Sequence, residues 1–229
     1  DFPLEQTLDG SEATTVLDPY DNGYVLPAGQ SARLARQHQH SRDANNKGQT
    51  EGDFAVGWID HGIAPASESY EYAMLVQTTR GQLEAFARAL PYRVLQRDEH
   101  AHIVQRLDRD TTAAAIFAVE RELADGPVLR TDTPVTVLAR ASDEEGLALS
   151  LAVPDLALPR RGNFGFLTGP DCQTQSELRN VRLILRGRWG LVAAEGQAEL
   201  AKYNDEQTVV EATCRNGKHI NLTLSRKAS

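Results

Sequence analysis

The chain reads as all-β: an antiparallel β-sandwich portion, a smaller antiparallel β-domain after it, and one short helix between. Three observations predict this. Apolar residues recur at alternate positions in segment after segment, as at Phe54, Val56 and Trp58, which is the period of a half-buried strand. Turn chemistry separates these segments: Asp9-Gly10, Asn22-Gly23, Asp125-Gly126-Pro127 and Asn216-Gly217. Only residues 79–90 carry a helical period. Many short strands at such spacing predict an antiparallel sandwich.

Taken in order, Leu4, Thr7 and Leu8 form a first strand that ends at Asp9-Gly10. Val16 and Leu17 lead into Asp18, Pro19, Tyr20, Asp21, Asn22 and Gly23, a strong turn. Asn22 and Gly23 both tolerate positive φ, so a hairpin is expected there. Tyr24, Val25 and Leu26 resume the strand, and Pro27 to Gly29 end it.

Residues 31–51 differ in kind. Arg33, Arg36, His38, His40 and Arg42 make a donor-rich, basic loop inside an acidic chain. One reading is a solvated loop. The other is a loop that offers guanidinium and imidazole to carboxylates or sulfates. His38 and His40 would share a face if the segment were a strand, but a metal site needs a third ligand that the sequence does not identify. No metal is assigned.

Residues 52–76 hold one tryptophan and two tyrosines. A strand through Phe54, Val56 and Trp58 ends at Asp60-His61-Gly62, where His61 is expected to fix the turn by bonding backbone groups. Pro65 keeps the connection out of a ladder. Tyr70, Tyr72 and Met74 then restart the alternation, and the whole stretch reads as core. Leu83, Phe86 and Leu90 lie on one helical face, Thr79 can cap the helix, and Pro91 stops it. A division into residues 1–78 and 79–229 follows, with the helix as bridge. Strands are then expected around Tyr92–Leu95, Ile103, Ala113–Val119, Val135–Val137, Leu147–Leu151, Val181–Leu185, Val209–Val210 and Ile220–Leu224.

At 229 residues the chain accommodates one large or two ordinary domains. A net charge of −8 argues against nucleic-acid binding, where clustered positive charge supplies most of the affinity. No apolar run reaches the length of a bilayer, so no membrane partner is expected. There is no P-loop, dinucleotide fingerprint or Cys-rich metal spacing, and no cofactor is called for. Opening on Asp1, the chain reads as a processed product or a fragment of something longer. Cys172 and Cys214 are expected to bridge if the protein is secreted, and to be two thiols otherwise.

These residues carry a resemblance. The run Ile59-Asp60-His61-Gly62, then Pro65, then Tyr70-Glu71-Tyr72 resembles a hallmark of the family-eight polysaccharide lyases, bacterial enzymes that cleave chondroitin, dermatan and hyaluronan. Ala35-Arg36-Gln37-His38-Gln39, followed by Thr50-Glu51-Gly52-Asp53-Phe54 and Trp58, is similar to the chondroitin ABC lyases within that family. The helix, Tyr92 to Leu95, and Val153-Pro154-Asp155-Leu156 keep the family's order. The likeness covers most of residues 2–156 and weakens beyond.

The resemblance implies that residues 1–78 are the last part of a central β-sandwich and residues 79–229 a closing β-domain. The helical toroid that carries the family's catalytic Tyr, His and Arg (or Asn) would lie outside this chain, so the N-terminal catalytic part of the same lyase is an implied partner. The implied chemistry is β-elimination on a glycosaminoglycan, in a protein secreted or periplasmic because its polymeric substrate cannot enter a cell. No catalytic residue is placed here; Tyr70, Tyr72 and His61 read as hydrogen-bonded packing. Arg36, His38, His40 and Arg42 are the expected substrate-binding residues. The alternative is a non-catalytic β-sandwich carbohydrate-binding module. An incomplete sandwich in residues 1–76, with an exposed apolar face, would favour the first reading.

Overall fold

The structure, a computed structural model, describes residues 4–107, 110–142, 146–154 and 177–227. It forms two compact units, Asp1–Leu90 and Pro91–Ser229. All strand pairing among the described residues is antiparallel, and there is one helix.

The first unit holds two three-stranded sheets. One is built from β1 (Leu4–Leu8), β4 (Ala32–Arg42) and β5 (Gln49–Ile59), in the order β1-β4-β5. The other is built from β2 (Thr14–Leu17), β3 (Gly23–Leu26) and β6 (Ala73–Leu75), in the order β2-β3-β6. The β2–β3 hairpin forms where expected, but its positive φ falls on Asp21 rather than on Asn22 or Gly23. The Asp18 carboxylate closes this turn by accepting from the backbone N–H groups of Tyr20 and Asn22 at 2.8 and 2.9 Å. Gly23 instead begins β3.

Helix α1 (Arg80–Arg88) starts with a reciprocal capping box: Thr79 Oγ1 accepts from the Gln82 N–H, while Gln82 Oε1 accepts from the Thr79 N–H. Its buried residue, Leu83, sits over β2 and β3. The helix therefore belongs to the first unit. The division falls between Leu90 and Pro91, not between 78 and 79, because Leu83 gives the helix a packing partner on its N-terminal side.

Two further expectations fail here. Residues 31–51 are a long hairpin rather than a loop. Pairing runs without a break from Ala32↔Ile59 to Arg42↔Gln49, and the polar side chains simply occupy exposed strand positions. Residues 52–76 are also not core. Trp58 is 41% exposed, Tyr70 60% and Tyr72 55%, and both tyrosines precede the three-residue β6. Among the described residues, the buried apolar side chains of this unit are Val25, Ala32, Ala35 and Leu83, too few to cover both sheets.

The second unit is a sandwich. Its larger sheet contains β7 (Tyr92–Arg97), β8 (Ala101–Arg106), β9 (Thr111–Ile116), β11 (Val135–Ser142), β12 (Gly146–Ala152), β14 (Trp189–Glu195) and β17 (Ile220–Arg226), in the order β14-β17-β12-β11-β9-β8-β7. The smaller contains β10 (Val128–Thr131), β13 (Arg179–Arg186), β15 (Gln197–Tyr203) and β16 (Gln207–Cys214), in the order β10-β13-β16-β15. Alternate residues of both sheets meet in one core. Val137, Leu147, Leu149, Leu151, Leu222 and Leu224 come from the larger sheet, and Val181, Leu183, Leu185 and Val210 from the smaller. The register explains the layering: Leu149 faces Leu222 and Leu183 faces Val210 across their ladders. Strands β10, β14 and β15 were not foreseen. Cys214 is buried at the end of β16, and burial pushes its thiol pKa up. Cys172, its expected partner, lies outside the described residues, as do Asp155 and Leu156.

Candidate functional site

The exposed residues singled out from the sequence converge on the β4–β5 hairpin. Strand alternation sends Arg36, His38, His40 and Arg42 to one face of β4. Their cross-strand partners on that face are Ala55, Asp53, Glu51 and Gln49. All four predicted residues are thus in one row, but acidic groups, hidden from a linear reading by the hairpin turn, stand opposite the histidines.

The geometry in this row is tight. His38 Nδ1 lies 2.7 Å from Asp53 Oδ1, and His38 Nε2 lies 3.7 Å from Glu51 Oε2. His40 Nδ1 is 3.5 Å from the same Glu51 oxygen. The two imidazoles meet edge to face with centroids 4.7 Å apart. Arg42 donates to the Asn46 carbonyl at 3.5 Å, next to a turn that Asp43 closes by accepting from the N–H groups of Asn45 and Lys47. Arg36, exposed, has no ion-pair partner among the described residues.

The other face of β5 carries Phe54, Val56 and Trp58 opposite Gln37, Ala35 and Arg33. The Arg33 guanidinium bonds Asp60 Oδ2 at 2.7 Å. The Gly62 backbone N–H, which donates to Asp60 Oδ1 at 3.0 Å, and then Arg33 hold the Asp60 carboxyl below the usual carboxylate range. Asp60, not His61, therefore fixes the turn after β5. The His61 ring instead packs 6.4 Å from Tyr70, which stacks on Tyr72 at 6.3 Å.

The second unit offers one open groove of about 600 Å³ on the outside of its smaller sheet. Asp132, Arg182, Glu199 and Glu211 line it, and Arg182 is already 3.9 Å from Glu211. Its carboxylates outnumber its cation, which disfavours an anionic polymer there.

No family model matches the chain. Similarity to individual proteins is clear. The chain is 31% identical over 229 residues to a chondroitin sulfate ABC exolyase of Bacteroides thetaiotaomicron, a match covering 94% of this chain and 22% of that protein. It is 35% identical over 156 residues to a chondroitin sulfate ABC exolyase of Proteus vulgaris, covering 68% of this chain and 15% of that one. The solved xanthan lyase of Paenibacillus superposes with a TM-score of 0.70 at 16% identity, covering 99% of this chain and 21% of that one. The chain matches only 15% to 22% of the length of these relatives.

Proposed function

We infer, from a chain that is polysaccharide lyase-like in sequence and fold, that it is the non-catalytic C-terminal β part of a longer glycosaminoglycan lyase. In that reading the parent cleaves chondroitin or dermatan sulfate, or hyaluronan, by β-elimination. The residues that neutralise the uronate, take the C5 proton and protonate the leaving oxygen belong to a segment outside this chain. This part supplies the end of the central sandwich and a closing β-domain, and Arg36, His38, His40 and Arg42 give it a row of contacts to the polymer.

One observation carries the reading. Among its described residues, the first unit leaves Leu4, Tyr20, Phe54, Trp58, Ile63, Tyr70, Tyr72, Met74 and Val76 exposed while burying four apolar side chains. A soluble unit rarely exposes so much large apolar surface without a partner to cover it. The N-terminal part of the same lyase is that partner. Position 58 reports on it: with a tryptophan analogue excited at longer wavelength incorporated at Trp58 alone, a neutral quencher should reach it readily in this chain and poorly in the full-length lyase. Equal quenching in both would refute the assignment.

Function is tested separately. The purified chain should release no ultraviolet-absorbing unsaturated product from chondroitin sulfate, and any such product would place a catalytic set within it. On a chondroitin sulfate column, retention should fade with salt and fall when Arg36 and Arg42 are both changed to Ala. Equal retention of both proteins would remove the substrate-contact role of that row. Tight retention by a chain whose Trp58 is quenched equally in both contexts would favour a stand-alone carbohydrate-binding module.

A further inference from the structure

The same hairpin carries a group in which two of those residues, His38 and His40, converge on Glu51, an arrangement that polymer contact alone does not call for. His38 and His40 sit two positions apart on β4, and Glu51 is the direct cross-strand partner of His40. One ligand atom from each of these three residues falls within 4.8 Å of the others. The measured edges are 3.5 Å from His40 Nδ1 to Glu51 Oε2 and 3.7 Å from His38 Nε2 to that oxygen. A tetrahedral zinc ion with bonds of roughly 2.0–2.2 Å separates its ligand atoms by about 3.4 Å. Along those two edges the atoms need shift by only a few tenths of an ångström, and the third edge, between the two histidine nitrogens and within 4.8 Å, closes by rotation of exposed side chains.

Asp53 supplies an independent indication. It is the cross-strand partner of His38, and its carboxylate oxygen lies 2.7 Å from His38 Nδ1. An ionised carboxylate only accepts, so Nδ1 carries a proton, and in the neutral ring that a metal binds the lone pair is then on Nε2. That nitrogen is the one turned towards Glu51. Metal-bound histidines commonly hold their other N–H against a carboxylate in this way, which fixes ring orientation and raises ligand basicity.

We propose that His38 Nε2, His40 Nδ1 and Glu51 Oε2 form a zinc site, with Asp53 as the positioning residue for His38 and a fourth position open to water or an anionic oxygen. The N₂O donor set suits zinc, and equally cobalt as its spectroscopic substitute. It does not suit calcium or magnesium, which take oxygen ligands. Bound there, the ion ties β4 to β5 between the hairpin turn and the sheet, and it offsets the two carboxylates that stand among the row's cations.

The test is calorimetric titration of the tag-free chain with Zn²⁺, followed by Co²⁺ absorption. One equivalent of Zn²⁺ should bind, Co²⁺ should give the strong visible band of a tetrahedral site, and Ca²⁺ and Mg²⁺ should not compete. His40→Ala and Glu51→Gln should each abolish binding at the wild-type working concentration. Asp53→Asn should weaken it by about 10- to 100-fold while leaving one equivalent bound. All three positions are exposed, so the variants should keep the parent's far-ultraviolet dichroism, which checks that they fold. No stoichiometric Zn²⁺ binding in the parent would overturn the site. Unchanged affinity in His40→Ala or Glu51→Gln would do the same, by placing the metal elsewhere. Unchanged affinity in Asp53→Asn would remove the positioning role of Asp53.

Discussion

Replacing Gly23 with Ala tests how the first unit holds its helix. An added Cβ at this position would lie 2.6 Å from Leu83 Cδ1, 3.1 Å from Leu83 Cδ2 and 2.7 Å from Thr78 Cγ2. Carbon atoms in favourable contact stand about 3.5–4.0 Å apart. The new methyl thus overlaps two neighbours by nearly an ångström. Neither can retreat into solvent, because Leu83 is 1% exposed and Thr78 is also buried. Overpacking of this kind costs about 1–3 kcal/mol. Losing a glycine from the unfolded chain returns about 0.4–1 kcal/mol, since the φ at Gly23 is not in the left-handed region. The net expectation is a destabilisation of about 1–2 kcal/mol. Leu83→Ala alone should cost about 2–5 kcal/mol through its cavity. The two changes together should cost clearly less than their sum, because truncating Leu83 clears two of the three close contacts. Urea denaturation followed by Trp58 emission, in a Trp189→Phe background, measures all four states. Additivity within about 0.5 kcal/mol would refute the claim that Leu83 is seated on Gly23.

Thr208→Val should cost the second unit about 1–3 kcal/mol. The buried Thr208 hydroxyl donates to the Gly187 carbonyl and accepts from the Trp189 N–H, both at 2.8 Å, and valine leaves both unpaired. Thr208→Ser keeps the hydroxyl and should cost less; a larger loss for serine than for valine would contradict the hydrogen-bond account. The Asp60 carboxyl should titrate below the ordinary value of 3.8, and Arg33→Met should raise its midpoint without restoring it fully, because the Gly62 N–H remains. Since the folded-state pKa is depressed, the stabilisation from Asp60 is present above pH 3.8 and is lost as pH falls through the folded value. Carboxyl NMR titration checks both statements, and a midpoint at or above 3.8 would contradict them.

The second unit was the more legible from sequence. The runs Leu147, Leu149, Leu151 and Ile220, Leu222, Leu224 alternate because one face of each strand meets the core, so the pattern and the burial coincide. Strand β15 escaped notice because its apolar alternation is only Ala198 and Leu200 long: Lys202 takes the next position, after a bulge that resets the register. Strand β10 is only four residues long and follows Pro127. In the first unit the alternation of Phe54, Val56 and Trp58 correctly marked a strand but not its burial. Periodicity reports which side chains share a face, and only neighbouring elements decide whether that face is covered. The candidate site was half legible for a related reason. Arg36, His38, His40 and Arg42 are adjacent in sequence, whereas Glu51 and Asp53 join them only through the β4–β5 register.

That register has a consequence for how the hairpin can change over evolutionary time. Its two faces are chemically opposite: imidazoles and carboxylates on one, Phe54 and Trp58 on the other. A side-chain period of two means that losing one residue inside β5, for instance Gly52, would turn the strand on one side of the deletion over relative to the other. Glu51 would then project among the aromatics, or the aromatics among the histidines. Losing two neighbouring residues would preserve facing and merely shorten the ribbon. Length variation within this hairpin is therefore expected in steps of two, with odd changes confined to the Asp43–Gly48 turn, where backbone bends absorb them without inverting either strand.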